Sequence, residues 1–205
     1  MQQSKRATLA LVVFAAGCGS GHRTVVISPG KIGPLRMDRS TLADVIAFAG
    51  RPDAERGSAA GIGPGIPRFR ALGYDCSTKP NDSAFPLVTP PNRSAGPYCR
   101  TVFWINRRTG KLGDFYTVSA LYTEAHGVRI GTATAKAERL VHKLAYVGCE
   151  ENIYLGPGGR DLTIAFEGGS PHKLRGSTGL HLVGGDVYAF ALHGRRNDVG
   201  VFDCL

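Results

Sequence analysis

The sequence predicts an α+β protein made of two similar units, each a helix followed by three or more antiparallel strands. Two stretches, Pro34–Gly50 and Gly127–Leu144, lead from a short apolar and basic segment into helical spacing. Glycine at 28 and proline at 12 of 205 residues supply many turns, which favours antiparallel strands over a helical bundle. Apolar content of 42% and charged content of 20% suit a globular chain. The expected units are residues 32–126 and 127–205, preceded by 1–17 and 18–31.

Residues 1–17 read as an export signal. Lys5 and Arg6 precede an apolar run of ten residues, Ala7–Ala16. A bilayer span needs about 20 residues, so this run is too short to cross. Ala15-Ala16-Gly17-Cys18 resembles the lipobox of bacterial lipoproteins, with Ala15 where that family usually has Leu. The resemblance implies cleavage before Cys18 and a diacylglyceryl group on its thiol. The protein is then expected outside the cytoplasm, held to the membrane by lipid. Residues 18–31 are expected to be the lipidated cysteine and a short tether.

Removing Lys5 and Arg6 with the signal takes the formal charge from +9 to +7. A basic surface suits teichoic acids, anionic headgroups or an acidic protein, and also serves plain solubility. Export and the scatter of the basic residues exclude nucleic acid. Without Cys18 the cysteines are an even four, Cys76, Cys99, Cys149 and Cys204, as expected of two disulfides in an oxidising compartment. Three pairings are open. Cys76–Cys99 with Cys149–Cys204 gives each unit its own bridge. No Cys-x-x-Cys pair points to zinc or redox chemistry.

In the first unit, Thr41 with Asp44 three residues on forms a capping-box pattern. Leu42, Val45, Ile46 and Ala49 share a helical face, and Gly50 with Pro52 ends it. Gly57–Pro67 and Ser77–Tyr98 read as loops. Arg68–Asp75, Thr101–Ile105 and Phe115–Tyr122 read as strands, the last two joined by the turn Asn106–Lys111. In the second unit Thr132 or Thr134 caps a helix whose apolar face is Leu140, Val141 and Leu144. Strands are expected at Asn152–Gly156, Leu162–Phe166 and Val199–Cys204. Gly168–Ser177 reads as loop. Leu180–Val183 and Val187–Leu192 read as a hairpin about Gly184-Gly185.

Ile32-Gly-Pro-Leu-Arg-Met37, then Thr41-x-x-x-Val45 and Gly50-Arg-Pro52, resembles an exported repeat with the pattern Gly-Met-Thr, three residues, Val, then Gly-x-Pro. Tyr122-Thr123 followed by Gly127-Val-Arg-Ile-Gly-Thr132 is similar to the same repeat. It occurs in the β-lactamase-inhibitor-protein-like fold and in small lipoproteins of the outer-membrane barrel-assembly machinery. Asp38-Arg39-Ser40 stands where the first copy usually has its Gly, and the second lacks the Val and the Gly-x-Pro. The resemblance implies a helix on a sheet and binding of other proteins without catalysis.

No catalytic residue is assigned. There is no Gly-x-Ser-x-Gly elbow, and His22, His126, His142, His172, His181 and His193 form no close metal-ligand pair. Glu150-Glu151 and Asp161 read as solvated turn acids, and Gly61-Ile-Gly-Pro-Gly65 lacks the lysine of a phosphate loop. No metal or cofactor is expected. Trp104 alternates with Phe103 and Ile105. If those two face the helix, Trp104 either anchors a partner on the open sheet face or packs in the core. Arg107 and Arg108, in the turn before Lys111, are candidate contacts to an anionic surface. The expected role is a non-catalytic binding module at the cell envelope, for a protein first and for anionic wall or lipid components second. An envelope hydrolase and a structural spacer are the alternatives.

Overall fold

A computed structural model of the chain describes residues 24–56, 69–79, 85–86, 97–141, 144–146, 152–156, 159–173 and 180–194. The apolar residues Val25, Val26 and Ile27 extend as β1 (Val25–Ser28). Gly30 and Gly33, both at positive φ, turn the chain into β2 (Lys31–Ile32) and β3 (Leu35–Arg36). Alternation puts Ile27, Ile32 and Leu35 inward and leaves Lys31 and Arg36 outward.

Helix α1 (Leu42–Ala49) starts at a capping box. The Thr41 backbone N–H donates to Asp44 Oδ2 at 2.7 Å, and the Asp44 N–H donates to Thr41 Oγ1 at 3.3 Å. The first of these bonds, with a second that the Thr41 hydroxyl donates to the same Oδ2 at 2.9 Å, holds the Asp44 carboxyl below its usual range. Gly50, at φ 83°, ends the helix with its N–H on Ile46 O.

The chain continues through β4 (Ala54–Arg56), β5 (Phe69–Ser77), β6 (Phe85–Pro86), β7 (Tyr98–Asn106), β8 (Lys111–Thr117) and β9 (Tyr122–Glu124). Helix α2 (Thr134–Leu140) leads into β10 (Ala145–Tyr146), β11 (Asn152–Gly156), β12 (Gly159–Glu167), β13 (Ser170–Lys173), β14 (Leu180–Val183) and β15 (Asp186–His193). The main sheet has nine strands in the order β10-β11-β12-β15-β8-β7-β5-β4, with β6 also on β7. A four-stranded sheet, β3-β2-β1-β9, includes the parallel pair β1–β9, and β13–β14 form a third sheet.

One face of the main sheet carries Leu72, Phe103, Phe115, Ile164 and Phe190. Ile27, Ile32, Val45, Ala137 and Val141, from the small sheet and around the helices, join them in one buried cluster. The other face carries Ala71, Trp104, Tyr116, Ala165, Ala189 and Ala191 in a second buried cluster. Cys76 and Cys99, paired across β5 and β7, form a disulfide. Closing that loop of 23 residues stabilises by about 3 kcal/mol in the chain-entropy account.

The expected α+β class with two helix-plus-sheet repeats does not hold. Among the described residues the protein is mostly β, with fifteen strands in three sheets and two short helices. Three causes can be named. Strands β1 to β3 are two to four residues long, too short to show a period, so 25–31 read as tether although Ile27 is fully buried. The pairing β8–β15 runs one sheet across the expected boundary at 126/127. The expected hairpin about Gly184-Gly185 is instead a kink in a longer one. Glu167 pairs with Asp186, and the ladder resumes at Ser170 with Val183. Gly168, Gly169, Gly184 and Gly185 all take positive φ there, and a Cβ at Gly169 would lie 2.7 Å from Gly184 O. The strand expected over Phe115–Tyr122 also splits, with β8 ending at Thr117 and Tyr122 opening β9 in the small sheet.

Neither threonine caps α2. Its N-cap is Ala133, without a side-chain bond. Thr132 Oγ1 accepts from Arg129 N, and Thr134 Oγ1 donates to Gly184 O and Gly185 O, so both hydroxyls tie the helix entry to its surroundings.

Candidate functional site

The turn after β7 is fixed by one side chain. Asn106 Oδ1 accepts from Arg108 N at 2.9 Å and from Thr109 N at 3.2 Å, while Gly110, at φ 68°, donates to Asn106 O. Arg107 and Arg108 are therefore held exposed at this end of the sheet. The segment Met37–Thr41 lies as a strap against the start of β8. Asp38 N donates to Leu112 O and Leu112 N to Ser40 O, both at 2.7 Å, and Thr41 bridges to Lys111. Arg36 N donates to Ser40 Oγ at 3.0 Å, which closes the strap on β3.

Two clefts open at this end. The larger, about 560 Å³, lies beyond the C-terminal end of the strap. Leu42 and Ile105 give it an apolar wall; Glu55, Arg56, Arg70 and Arg107 are its charged groups. Arg70 donates through Nη2 and Nε to Glu55 Oε2 at 2.5 and 3.1 Å, so its charge is compensated within the cleft. Both side chains are about 40% exposed, and such a pair is worth at most about 1 kcal/mol.

The smaller cleft, about 400 Å³, takes in the strap itself, the β2–β3 hairpin and the end of β15. Lys31, Arg36, Asp38 and Arg39 line it and are exposed. Among the described residues Lys31, Arg36 and Arg39 enter no ion pair. His193, 6% exposed, lines the same cleft, and its Nδ1 lies 2.9 Å from Oδ1 of the fully buried Asp114. With Nδ1–H as the donor, the Asp114 carboxylate accepts its hydrogen bond and so fixes the imidazole tautomer. The β8–β15 register places the two residues opposite each other although 79 positions separate them.

The backbone here is tightly specified. Asp38 takes φ 58°, a region non-glycine residues seldom enter, and the two bonds between the strap and Leu112 hold it there. Gly194 donates to Gly113 O at 2.7 Å, and a Cβ at position 194 would lie 2.5 Å from Asp38 Oδ1.

The residues marked from sequence fall differently. Arg107 lines the larger cleft, with Arg108 beside it. Trp104 does lie opposite Phe103 and Ile105, but it is 1% exposed in the second buried cluster, so it offers no exposed anchor. His126 caps a turn, its ring Nδ1 and backbone N both 2.7 Å from the buried Glu124 carboxylate. Cys18, Cys149, Cys204, His22, His142, Glu150, Glu151 and the Gly61–Gly65 run lie outside the described residues. Sequence reading missed Lys31, Arg36, Arg39 and the Asp114–His193 pair. Only the alternation of Lys31-Ile32 with Leu35-Arg36 about Gly33-Pro34 could have marked the hairpin.

No family model matches the chain, and no curated protein matches it. Among solved structures it is similar to the crystal structure of the uncharacterized protein yfeY from Escherichia coli. The two are 13% identical with a TM-score of 0.48, over 83% of this chain and 99% of that one.

Proposed function

We propose that the protein is an exported lipoprotein, anchored through Cys18, whose basic sheet end binds an acidic protein partner at the cell envelope without catalysis. One observation carries the reading. Seven cations, Lys31, Arg36, Arg39, Arg56, Arg70, Arg107 and Arg108, gather about two open clefts and one turn at a single end of the main sheet. Cations outnumber the carboxylates Glu55 and Asp38 that line the same clefts, and a surplus of one sign steers an oppositely charged partner and speeds its encounter.

The test is crosslinking from intact cells, with the native chain beside Arg107→Glu/Arg108→Glu. An acidic protein crosslinked by the native chain, released by salt and lost in the variant, supports the reading. The same proteins crosslinked by both forms, or none by either, would contradict it. The anchor has its own test: Cys18→Ser is expected to release the protein or leave it unprocessed, and unchanged membrane retention refutes lipidation.

A hydrolase is the second reading, favoured by the Asp114–His193 pair, which is how a general base is oriented. Against it, none of the described residues lining that cleft carries a hydroxyl or thiol. Turnover of an ester or amide substrate that His193→Ala abolishes would revive it.

A further inference from the structure

We propose that the smaller cleft is a binding site for a single oxyanion, the phosphate or carboxylate group of a larger ligand, held by Lys31, Arg36 and Arg39. The proposal deepens the reading of the basic end as the binding end and rests on it.

Lys31 and Arg36 are direct cross-strand partners in the β2–β3 ladder. Directly opposed residues share a face, with Cβ atoms about 5 Å apart, and like charges there are destabilising. The hairpin carries them outward while Ile32 and Leu35, the adjacent pair, fill the core. Arg39 joins them from the strap. The three cations enter no ion pair among the described residues, unlike Arg70 in the larger cleft. A fold that holds like charges opposite one another gains when an anion sits between them. Guanidinium groups suit that anion because their fork matches carboxylate and phosphate geometry.

Two further observations point to the same place. Asp38 stays in the left-handed region on the strap, and backbone strain of this kind gathers at functional sites. Gly194 leaves room that any side chain would fill against the Asp38 carboxylate. Among the described lining residues Lys31, Arg36 and Arg39 outnumber Asp38 by two charges, which matches a dianionic phosphate and leaves one positive charge over a carboxylate. The buried Asp114–His193 pair keeps the end of β15 fixed as a wall of the cleft.

The test is thermal melting of the full chain with inorganic phosphate in one arm and acetate in the other, chloride holding ionic strength constant. Binding to the folded state raises Tm saturably with anion concentration. Phosphate also stabilises proteins by exclusion from their surface, so the site-specific part is the difference between native and variant. Arg36→Gln/Arg39→Gln changes two exposed side chains, and its melt in chloride alone reports whether it folds; Lys31→Gln is the second variant. The expected result is a saturable rise with phosphate, acetate or both, whichever responds naming the group. The apparent affinity is expected to fall at least about tenfold in the double variant, because it removes two of three cationic contacts. Lys136→Gln/Arg139→Gln, on exposed α2 positions, should respond as the native chain does. No saturable rise with either anion, or an undiminished rise in both Arg36→Gln/Arg39→Gln and Lys31→Gln, overturns the site. An absent anion response with partner crosslinking intact sinks the site alone. A normal response with no acidic partner sinks the partner reading alone.

Discussion

The two clefts at the basic end carry the same types of charged group and use them differently. In the larger, Arg70 is tied to Glu55 by two hydrogen bonds, and Leu42 and Ile105 supply an apolar wall. In the smaller, three cations enter no ion pair among the described residues, and a buried carboxylate–imidazole pair lies behind them. Volume alone favours the larger cleft. Uncommitted donors favour the smaller, because Arg70 already directs two of its donors to Glu55, whereas Lys31, Arg36 and Arg39 enter no ion pair among the described residues.

The straps make the same point. Ahead of α2, Gly131 donates to Val187 O and Val187 to Thr132 O, as Asp38 and Ser40 exchange bonds with Leu112 ahead of α1. Gly131 takes φ 79° at no steric cost, and an added Cβ there would meet nothing within 4 Å. The first strap keeps an aspartate at φ 58° instead, beside the cleft. Backbone geometry alone would accept glycine at both places, so the carboxylate of Asp38 is what distinguishes them.

The largest expected effect comes from the buried Asp114–His193 hydrogen bond. Asp114→Ala leaves a buried imidazole N–H without its acceptor and should destabilise by roughly 2–5 kcal/mol in denaturant unfolding. Loss below about 1 kcal/mol would mean that the pair does not organise the smaller cleft. Gly194→Ala must displace the Asp38 carboxylate and should lose about 1–3 kcal/mol, as overpacked sites do. Its double cycle with Asp38→Gly should recover most of that loss. Glu55→Gln, at an exposed pair, should change stability by less than about 1 kcal/mol and leave small-anion binding in the smaller cleft intact. Asp38→Gly alone should hold stability within about 1 kcal/mol, relief of the left-handed strain offsetting glycine's entropy, and should tighten anion binding by removing a like-signed group.

The smallest effect is a pH effect on α1, which walls the larger cleft. The folded carboxyl of Asp44 titrates below its ordinary value of 3.8, because the Thr41 backbone N–H and hydroxyl bond the ionised form. Its contribution is complete above that unfolded value and is lost as pH falls through the folded one. The stability difference between native and Asp44→Asn should therefore be constant near neutral pH and shrink in acid. A difference that grows in acid would contradict the capping role.

Much that is local was legible in the sequence. Thr41-x-x-Asp44 and Gly50 bound α1 because caps are set by neighbours within one turn. Asn106–Lys111 is a turn because Asn106 and Gly110 supply its bonds and its positive φ. The class was not legible. Strands of two to four residues carry no period, and nothing near Gly184-Gly185 tells a hairpin turn from a kink in a longer ladder. Trp104 alternates as a strand residue should, yet alternation gives its face and not whether that face is covered. Asp114 and His193 meet only through the pairing of β8 with β15, a register no local signal announces. The charged cleft depends on the same long-range geometry. Lys31, Arg36 and Arg39 stand close in sequence, but nothing local marks them as one cluster until β2 and β3 fold back on each other.

The most direct measurement is amide chemical-shift mapping of the full chain titrated with phosphate at constant ionic strength, native beside Arg36→Gln/Arg39→Gln. Saturable shifts at Lys31, Arg36, Arg39 and Gly194, absent from the double variant, are the predicted result. Shifts centred instead on Arg56, Arg70 and Arg107, or spread over both clefts without saturation, would contradict the assignment of binding to the smaller cleft.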